Sequence, residues 1–231
     1  MATKTVTVGA GFRAARRLNR SVTADVEKRL LVWMAERTPR WVTSDGLTAL
    51  GLGAQIAAGV CYAWSRWEHV ALAAAMGCIA LNWLGDSLDG TLARVRGQQR
   101  PRYGFYVDHV VDIFGAAALM AGLGASGLLH WQTAAGMLVG FLLLAGESYL
   151  ATYTLGDFEM SQGFLGPTEI RILLIAGTAV AAWRGPYATV PGHRLLLFDV
   201  GGAIAAVAML AMALVVTARH TAELYRQEPL Q

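Results

Sequence analysis

The stretch Asp86-Ser-Leu-Asp89-Gly90-Thr-Leu-Ala93-Arg94 is followed, nine residues later, by Gly104-Phe-Tyr-Val-Asp108-His-Val-Val-Asp112. Both stretches are continuous with long apolar runs. At 3.6 residues per helical turn, the first two aspartates share one helix face, and the last two share another. An acid inside a membrane span is costly unless it is paired, hydrated or metal-bound. The spacing therefore predicts two membrane helices that carry one functional site.

The composition around this stretch is that of a membrane protein. Of the 231 residues, 55% are hydrophobic and 15% are charged, whereas soluble domains contain about 25% charged residues. A spanning helix needs about 20 mostly apolar residues. Six segments meet this length and predict an all-α membrane protein with six transmembrane helices, at 46–64, 69–93, 105–129, 132–155, 167–184 and 195–218.

The N-terminal region differs from the rest of the chain. Residues 1–44 are polar and basic, and we expect a cytoplasmic or interfacial segment there, before a six-helix domain at 45–231. An amphipathic helix is predicted near 24–37, because Val26, Leu30, Trp33 and Met34 follow helical spacing. Such a helix lies in the membrane interface. Its basic residues favour anionic lipid headgroups over nucleic acid as the partner.

The distribution of positive charge predicts the orientation. Sixteen of the 19 Lys and Arg residues fall in the N-terminal region, in the 94–104 connection, at Arg171 and in the C-terminal tail. Positive residues concentrate on the cytoplasmic side of membrane proteins. We therefore expect both termini and the active site on the cytoplasmic side, in a prokaryotic cytoplasmic membrane.

The four aspartates have the chemistry of a metal site. We expect their two helices to run antiparallel as neighbours, so that all four carboxylates lie at similar depth. Four carboxylates in a low-dielectric site need compensating charge, and oxygen ligands suit Mg²⁺ above all, with Mn²⁺ or Ca²⁺ as alternatives. Two such ions form a clamp for displacement at phosphorus. The small residues among the acids leave room for phosphates, and Arg94 can pair with a diphosphate.

Together these residues resemble the signature of the CDP-alcohol phosphotransferase family, D-x-x-D-G-x-x-A-R followed by G-x-x-x-D-x-x-x-D. Every fixed position is present, and the spacer from Val95 to Tyr103 is one residue longer than the usual eight. The resemblance implies that Asp86, Asp89, Asp108 and Asp112 hold two metal ions and that Gly90, Ala93, Arg94 and Gly104 bind CDP. It also implies that Asp112 is the general base, that CMP leaves, and that the enzyme is a homodimer.

The family contains two substrate groups, and local features of this sequence indicate which group it resembles. His109 after Asp108, and the segment Gly166-Pro-Thr-Glu169, are similar to choline/ethanolamine phosphotransferases. Residues 44–51 follow their P-N-x-x-T-x-x-G segment, with Ser44-Asp45 in place of Pro-Asn. These features favour transfer from a CDP-aminoalcohol to a lipid hydroxyl. The alternative is phosphatidyl transfer from CDP-diacylglycerol to a small polar alcohol, such as inositol phosphate or glycerol phosphate. A phosphorylated acceptor needs basic residues near the metals, where the chain offers Arg171 and few others.

Further polar residues within the spans are candidates for substrate contacts or for supporting the metal ligands. They are Asn82, His109, Glu147, Glu169 and Arg171. Other roles remain open for three of them: a wall contact for His109, a helix–helix hydrogen bond for Glu147, and a helix-dipole interaction for Glu169.

A cation transporter is the alternative from another functional class. It would distribute its acids along a path through the bilayer. Here the acids cluster at one end, and the stretch from Ala116 to Leu129 is apolar. The clustering favours an enzyme.

Overall fold

The computed structural model describes residues 24–155, 166–190 and 193–228. Within these ranges the chain forms seven helices and one two-stranded antiparallel hairpin. The helices are α1 Ala24–Arg37, α2 Ser44–Trp64, α3 Val70–Val95, α4 Pro101–Ser126, α5 Trp131–Leu155, α6 Pro167–Arg184 and α7 Leu197–Gln227, and the strands are β1 Tyr187–Val190 and β2 His193–Leu196. The all-α membrane class is confirmed, with the hairpin between α6 and α7 as an unpredicted addition. The β-branched Thr189 and Val190 favour a strand there.

Five of the helices in the described ranges are long and apolar enough to cross a membrane, namely α2, α3, α4, α5 and α7. Helix α6 forms where the fifth span was predicted, but its 18 residues include the charged Glu169, Arg171 and Arg184. At 1.5 Å per residue it is about 27 Å long, close to the roughly 30 Å hydrocarbon thickness. The chain is thus a multi-pass membrane protein, while the count of six spans stays a prediction.

Local sequence explains where the helices near the acids begin and end. The Thr43 hydroxyl accepts a hydrogen bond from the Gly46 N–H at 3.0 Å and caps α2. Helix α4 begins with Pro101, whose missing N–H costs nothing at that position. Gly97, with φ of 64°, lies in the short connection between α3 and α4. A left-handed residue of this kind favours glycine. The two acid-bearing helices therefore reverse direction across residues 96–100.

Helix α2 is the centre of the packing, with extensive contacts to both α3 and α4. Glycines permit this closeness: a Cβ atom at Gly85 would lie 2.7 Å from the Gly51 nitrogen, and one at Gly122 would overlap the Gly59 backbone. Helices α3 and α4 make few contacts with each other. The prediction that they are direct neighbours is therefore wrong as regards packing, because each of them packs mainly on α2. Helix α4 also packs on α5, and α5 packs on α7.

Helix α1 forms where the sequence predicts it, but its orientation differs. Leu31 and Ala35 are buried against residues of α2 and α3, including Leu88. Leu30 and Trp33, assigned to the same apolar face as Met34, are exposed at 43% and 53%. The Val26 side chain lies outside the described residues. The helix thus has one face on the bundle and a second apolar face directed outward, and its interfacial location stays a prediction.

Candidate active site

The structure brings the four aspartates into one electrostatic cluster. Asp86 and Asp89 lie toward the end of α3, and Asp108 and Asp112 lie in the first half of α4. Asp112 interacts electrostatically with each of the other three and with Arg171. The acids of α3 and α4 therefore interact across two helices that each pack mainly on α2 and make few contacts with each other.

Asp89 is buried and held by hydrogen bonds from two sides. The Thr48 hydroxyl of α2 donates to its Oδ2 at 2.5 Å, and the Gly90 N–H donates to its Oδ1. The Ser44 hydroxyl donates to its backbone carbonyl at 2.9 Å. The first turns of α2 therefore fix both the side chain and the backbone of this aspartate.

Asp86 is paired with a cation supplied by α6. Arg171 Nη2 lies 2.6 Å from Asp86 Oδ2, with 15% and 24% of the two side chains exposed. Arg171 Nε donates to Asn82 Oδ1 at 2.8 Å. Asn82 is itself buried, and its Nδ2 donates to the Gly51 carbonyl at 3.0 Å and to Gln55 Oε1 at 3.3 Å. This chain of contacts links α2, α3 and α6 and orients the guanidinium at the acids.

The cluster can be tested as a cation site. Its donors are hard carboxylate oxygens, the type that Mg²⁺ and Mn²⁺ prefer. Over residues 24–155, 166–190 and 193–228, no three acidic, His or Cys groups converge on one point. Asp86 is paired with Arg171, and Asp89 is hydrogen-bonded to Thr48 and Gly90. The guanidinium therefore supplies part of the charge compensation that the sequence assigned wholly to metal ions. The residues fit hard cations in charge and donor type.

The residues predicted to bind CDP lie at the same end of the bundle. Arg94, in the last turn of α3, donates to the Thr91 hydroxyl at 2.9 Å. A Cβ atom at Gly104 would meet nothing within 4 Å, and one at Gly90 would meet only the Arg94 side chain at 3.7 Å. Close helix packing therefore does not explain these two glycines, and Ala93 is half-buried beside them. They border open space next to the acids.

A cleft of about 470 Å³ lies beside this space. It is lined by Thr43, Ser44, Asp45, Gln98, Gln99 and Arg100. Arg100 and Asp45 form an ion pair at the cleft, which raises the pKa of the exposed guanidinium. Ser44 lines the cleft and also donates to the backbone carbonyl of Asp89, so the cleft adjoins the end of α3 that carries the acids.

Two of the remaining candidates have structural partners. His109 Nδ1 donates to the Phe105 carbonyl at 2.6 Å, and the centroid of its ring lies 4.1 Å from that of Phe105 and 4.7 Å from that of Tyr149. Glu169 Oε2 accepts from the Gly166 N–H at 2.9 Å. That contact fits the helix-start interpretation of Glu169 better than a ligand contact.

Glu147 does not join the aspartates. Its Oε1 lies 2.5 Å from His220 Nδ1, between α5 and α7. Its Oε2 is buried and has no hydrogen-bond partner among the described residues. The helix–helix contact expected for Glu147 is therefore present, with histidine as its partner.

Four polar residues around the cluster were not predicted from the sequence. Ser44 and Thr48 hold Asp89, Gln55 supports Asn82, and Glu27 of α1 contacts α3 and α6. Thr48 stands at the fixed threonine of the segment 44–51 and could have been found there. Gln55 falls one helical turn beyond Gly51, which was a weaker indication.

Comparison with known proteins bears on the family and the fold. Residues 41–218 match the family model described as CDP-alcohol phosphatidyltransferase. Two solved structures of Mycobacterium tuberculosis phosphatidylinositol phosphate synthase (PgsA1) have the same fold at 21% sequence identity. The one with CDP-DAG bound has a TM-score of 0.54 and covers 85% of this chain and 92% of that chain. The complex with manganese and citrate has a TM-score of 0.51 and covers 88% of each. No protein with a curated description matches the sequence significantly.

Proposed function

The chain belongs to the CDP-alcohol phosphatidyltransferase family, and from this premise we propose that it transfers a phosphatidyl group from CDP-diacylglycerol to a small polar alcohol, with release of CMP. The family description and the CDP-DAG-bound structure of similar fold support this donor. They favour the alternative of the sequence analysis over the CDP-aminoalcohol interpretation, which rests on His109 and on the segment 166–169.

The position of Arg171 is the main observation in support of this proposal. It places a positive charge at the acid cluster, held by Asn82 and Asp86. Cations bound at the acids would leave more of the guanidinium charge to an anion, and guanidinium groups bind phosphate well. Among the possible acceptors, a phosphorylated alcohol is the class whose phosphate would bind this positive charge. Basic residues near the acids are few in the sequence, but the placement of Arg171 matters more than their number.

The four aspartates are the proposed ligands of divalent cations, Mg²⁺ or Mn²⁺, and the manganese complex of the similar structure supports this. Such ions compensate the charge of the diphosphate during displacement at phosphorus. Asp112 is the proposed general base, because a carboxylate next to the acceptor hydroxyl can take its proton. Gly90, Ala93, Gly104 and Arg94 are the proposed CDP contacts.

Substrate access follows from the packing of α3 and α4. The diphosphate of the donor meets the acids at the end of the bundle near residues 96–100, which we place on the cytoplasmic side. The acyl chains need hydrocarbon, and we propose that they reach it sideways past α3 and α4, which make few contacts with each other. We also propose, from the family resemblance, that the enzyme is a homodimer in the membrane with one site in each protomer.

The test is CMP release by the purified protein. Radiolabelled CDP-diacylglycerol, CDP-choline and CDP-ethanolamine are supplied in turn, the first with inositol phosphate, glycerol phosphate or the unphosphorylated alcohols, and the others with diacylglycerol. We expect CMP only from CDP-diacylglycerol, a preference for a phosphorylated alcohol, and loss of turnover in excess chelator. Turnover of CDP-choline or CDP-ethanolamine alone would reverse the donor assignment, and full activity in chelator would exclude the metal role.

A further inference from the structure

Glu27, on the N-terminal helix, joins three helices next to the acid cluster. Its Oε1 accepts hydrogen bonds from Trp83 Nε1 and from the Thr168 hydroxyl, both at 2.8 Å, and from the Ser87 hydroxyl at 3.3 Å. Trp83 and Ser87 belong to α3, and Thr168 belongs to α6. One carboxylate oxygen of α1 therefore connects the helix that carries Asp86 with the helix that carries Arg171.

The spacing of these partners places the Glu27 contacts beside those of Arg171. On α3, Trp83 and Ser87 form an i, i+4 pair, and Asn82 and Asp86 form a second pair displaced by one residue. The first pair binds Glu27, and the second binds Arg171. On α6, Thr168 precedes Arg171 by three residues, so both lie on one helix face. The first turn of α6 thus meets α3 through two adjacent polar contacts.

Glu27 is held in place because other residues of α1 also pack on the helix bundle. Leu31 and Ala35 are buried against α2 and α3. Beyond the end of α1, the Arg96 guanidinium donates to the carbonyls of Thr38, Pro39 and Val42 at 2.6–2.9 Å. An acceptor held in this way can restrain a helix start, and hydrogen bonds to charged groups are stronger than neutral ones.

We propose that Glu27 is a positioning residue: by holding Thr168, it sets the place of Arg171 at the acids, and thereby the binding of the acceptor alcohol. This inference rests on the proposed function for its effect on the acceptor, but its structural part stands on the contacts alone. The N-terminal helix is then part of the active-site support and not only a membrane anchor.

Steady-state kinetics test the functional part. Glu27→Ala and Thr168→Val should each raise the Michaelis constant for the acceptor by roughly fivefold or more, and leave that for the donor within about twofold. The double variant should be no worse than either single variant. Glu27→Gln should restore most of the affinity, because its amide oxygen still accepts hydrogen bonds. Glu36→Ala removes an exposed charge from the same helix and should behave as wild type. An unchanged acceptor constant in Thr168→Val, or additive effects in the double variant, would overturn the proposal.

Thermal unfolding in detergent with chelator tests the structural part without any substrate. Arg171→Gln should lower the unfolding midpoint less in the Glu27→Ala background than in wild type, because the arginine is already displaced there. Equal decreases in the two backgrounds would refute the link between Glu27 and Arg171, whatever the substrate is. An enzyme that is inactive with every donor, yet shows the coupled midpoints, would refute the proposed function and leave this inference intact.

Discussion

Arg171 of α6 and Asp86 of α3 form an ion pair, with 2.6 Å between Nη2 and Oδ2, inside the group of aspartates expected to bind metal ions. Arg171 therefore neutralises part of the negative charge of the four carboxylates. A cation that binds Asp86 would share this carboxylate with the guanidinium or replace it, and either way more of the arginine charge would be available to an anionic substrate.

Replacing Arg171 should destabilise the protein more without metal than with it. Removing one partner of a fully buried ion pair costs about 3 kcal/mol or more. This pair is partly buried, so we expect a cost of up to about 3 kcal/mol, or a decrease of up to roughly 12 °C in unfolding midpoint for a chain of this size. We expect Arg171→Gln to show this decrease in excess chelator and a smaller one in millimolar Mg²⁺, measured by thermal unfolding in detergent. Equal decreases in both conditions would show that ions and Arg171 do not compensate the same acids.

Asp112→Asn tests the general base. The amide cannot accept the proton of the acceptor hydroxyl, so turnover should fall by roughly a hundredfold or more. Binding of the CDP donor, measured by isothermal titration, should remain detectable. His109 is the next candidate if Asp112→Asn keeps near-normal turnover, although the Nδ1 of His109 is committed to the Phe105 carbonyl.

Thr48→Val tests the support of Asp89. Valine keeps the shape of threonine but removes the hydroxyl that donates to Asp89 Oδ2. Loss of a partner that orients a metal ligand costs about tenfold or more in metal affinity or activity. We expect a rise of this size in the Mg²⁺ concentration needed for half-maximal activity. Thr154→Val, whose hydroxyl donates to the Leu150 carbonyl on an exposed part of α5, is the matched control and should behave as wild type.

Mixed protomers test the location of the site. All four aspartates lie on α3 and α4 of one chain and interact there, so a homodimer should contain two independent sites. Co-expressed Asp89→Ala and Asp112→Ala protomers, purified as a mixed dimer through two different tags, should have no more activity than either variant alone. Recovery of activity in the mixed dimer would mean that the site is shared between protomers.

The sequence was sufficient to predict the helices and the acid cluster. Apolar runs of about 20 residues allow few structures other than membrane helices. The i, i+3 and i, i+4 spacings of the aspartates place them on single helix faces. The position of α1 at 24–37 also followed from its periodicity. These features depend only on local spacing, which a single sequence shows directly.

The packing partners could not be predicted in the same way. Gly51 and Gly85 bring α2 against α3, but nothing distinguishes them beforehand among the 26 glycines of the chain. Leu31 and Leu30 are equally apolar, and only the presence of α3 decides which one is buried. The pairing of Arg171 with Asp86 likewise depends on where α6 lies, because 85 residues separate the two in sequence.

The weak packing of α3 on α4 bears on how the connection between them can vary in length. Where two helices interlock, each residue added to their loop changes the alignment of their side chains. Here each helix is aligned by α2, so the relative height of Asp89 and Asp108 does not depend on the intervening turn. The spacer of nine residues, one more than the family pattern, is then accommodated in residues 96–100 without moving the acids. Insertions at Gln98 or Gln99 should be tolerated by the same reasoning, which makes this turn the place where related sequences can differ in length.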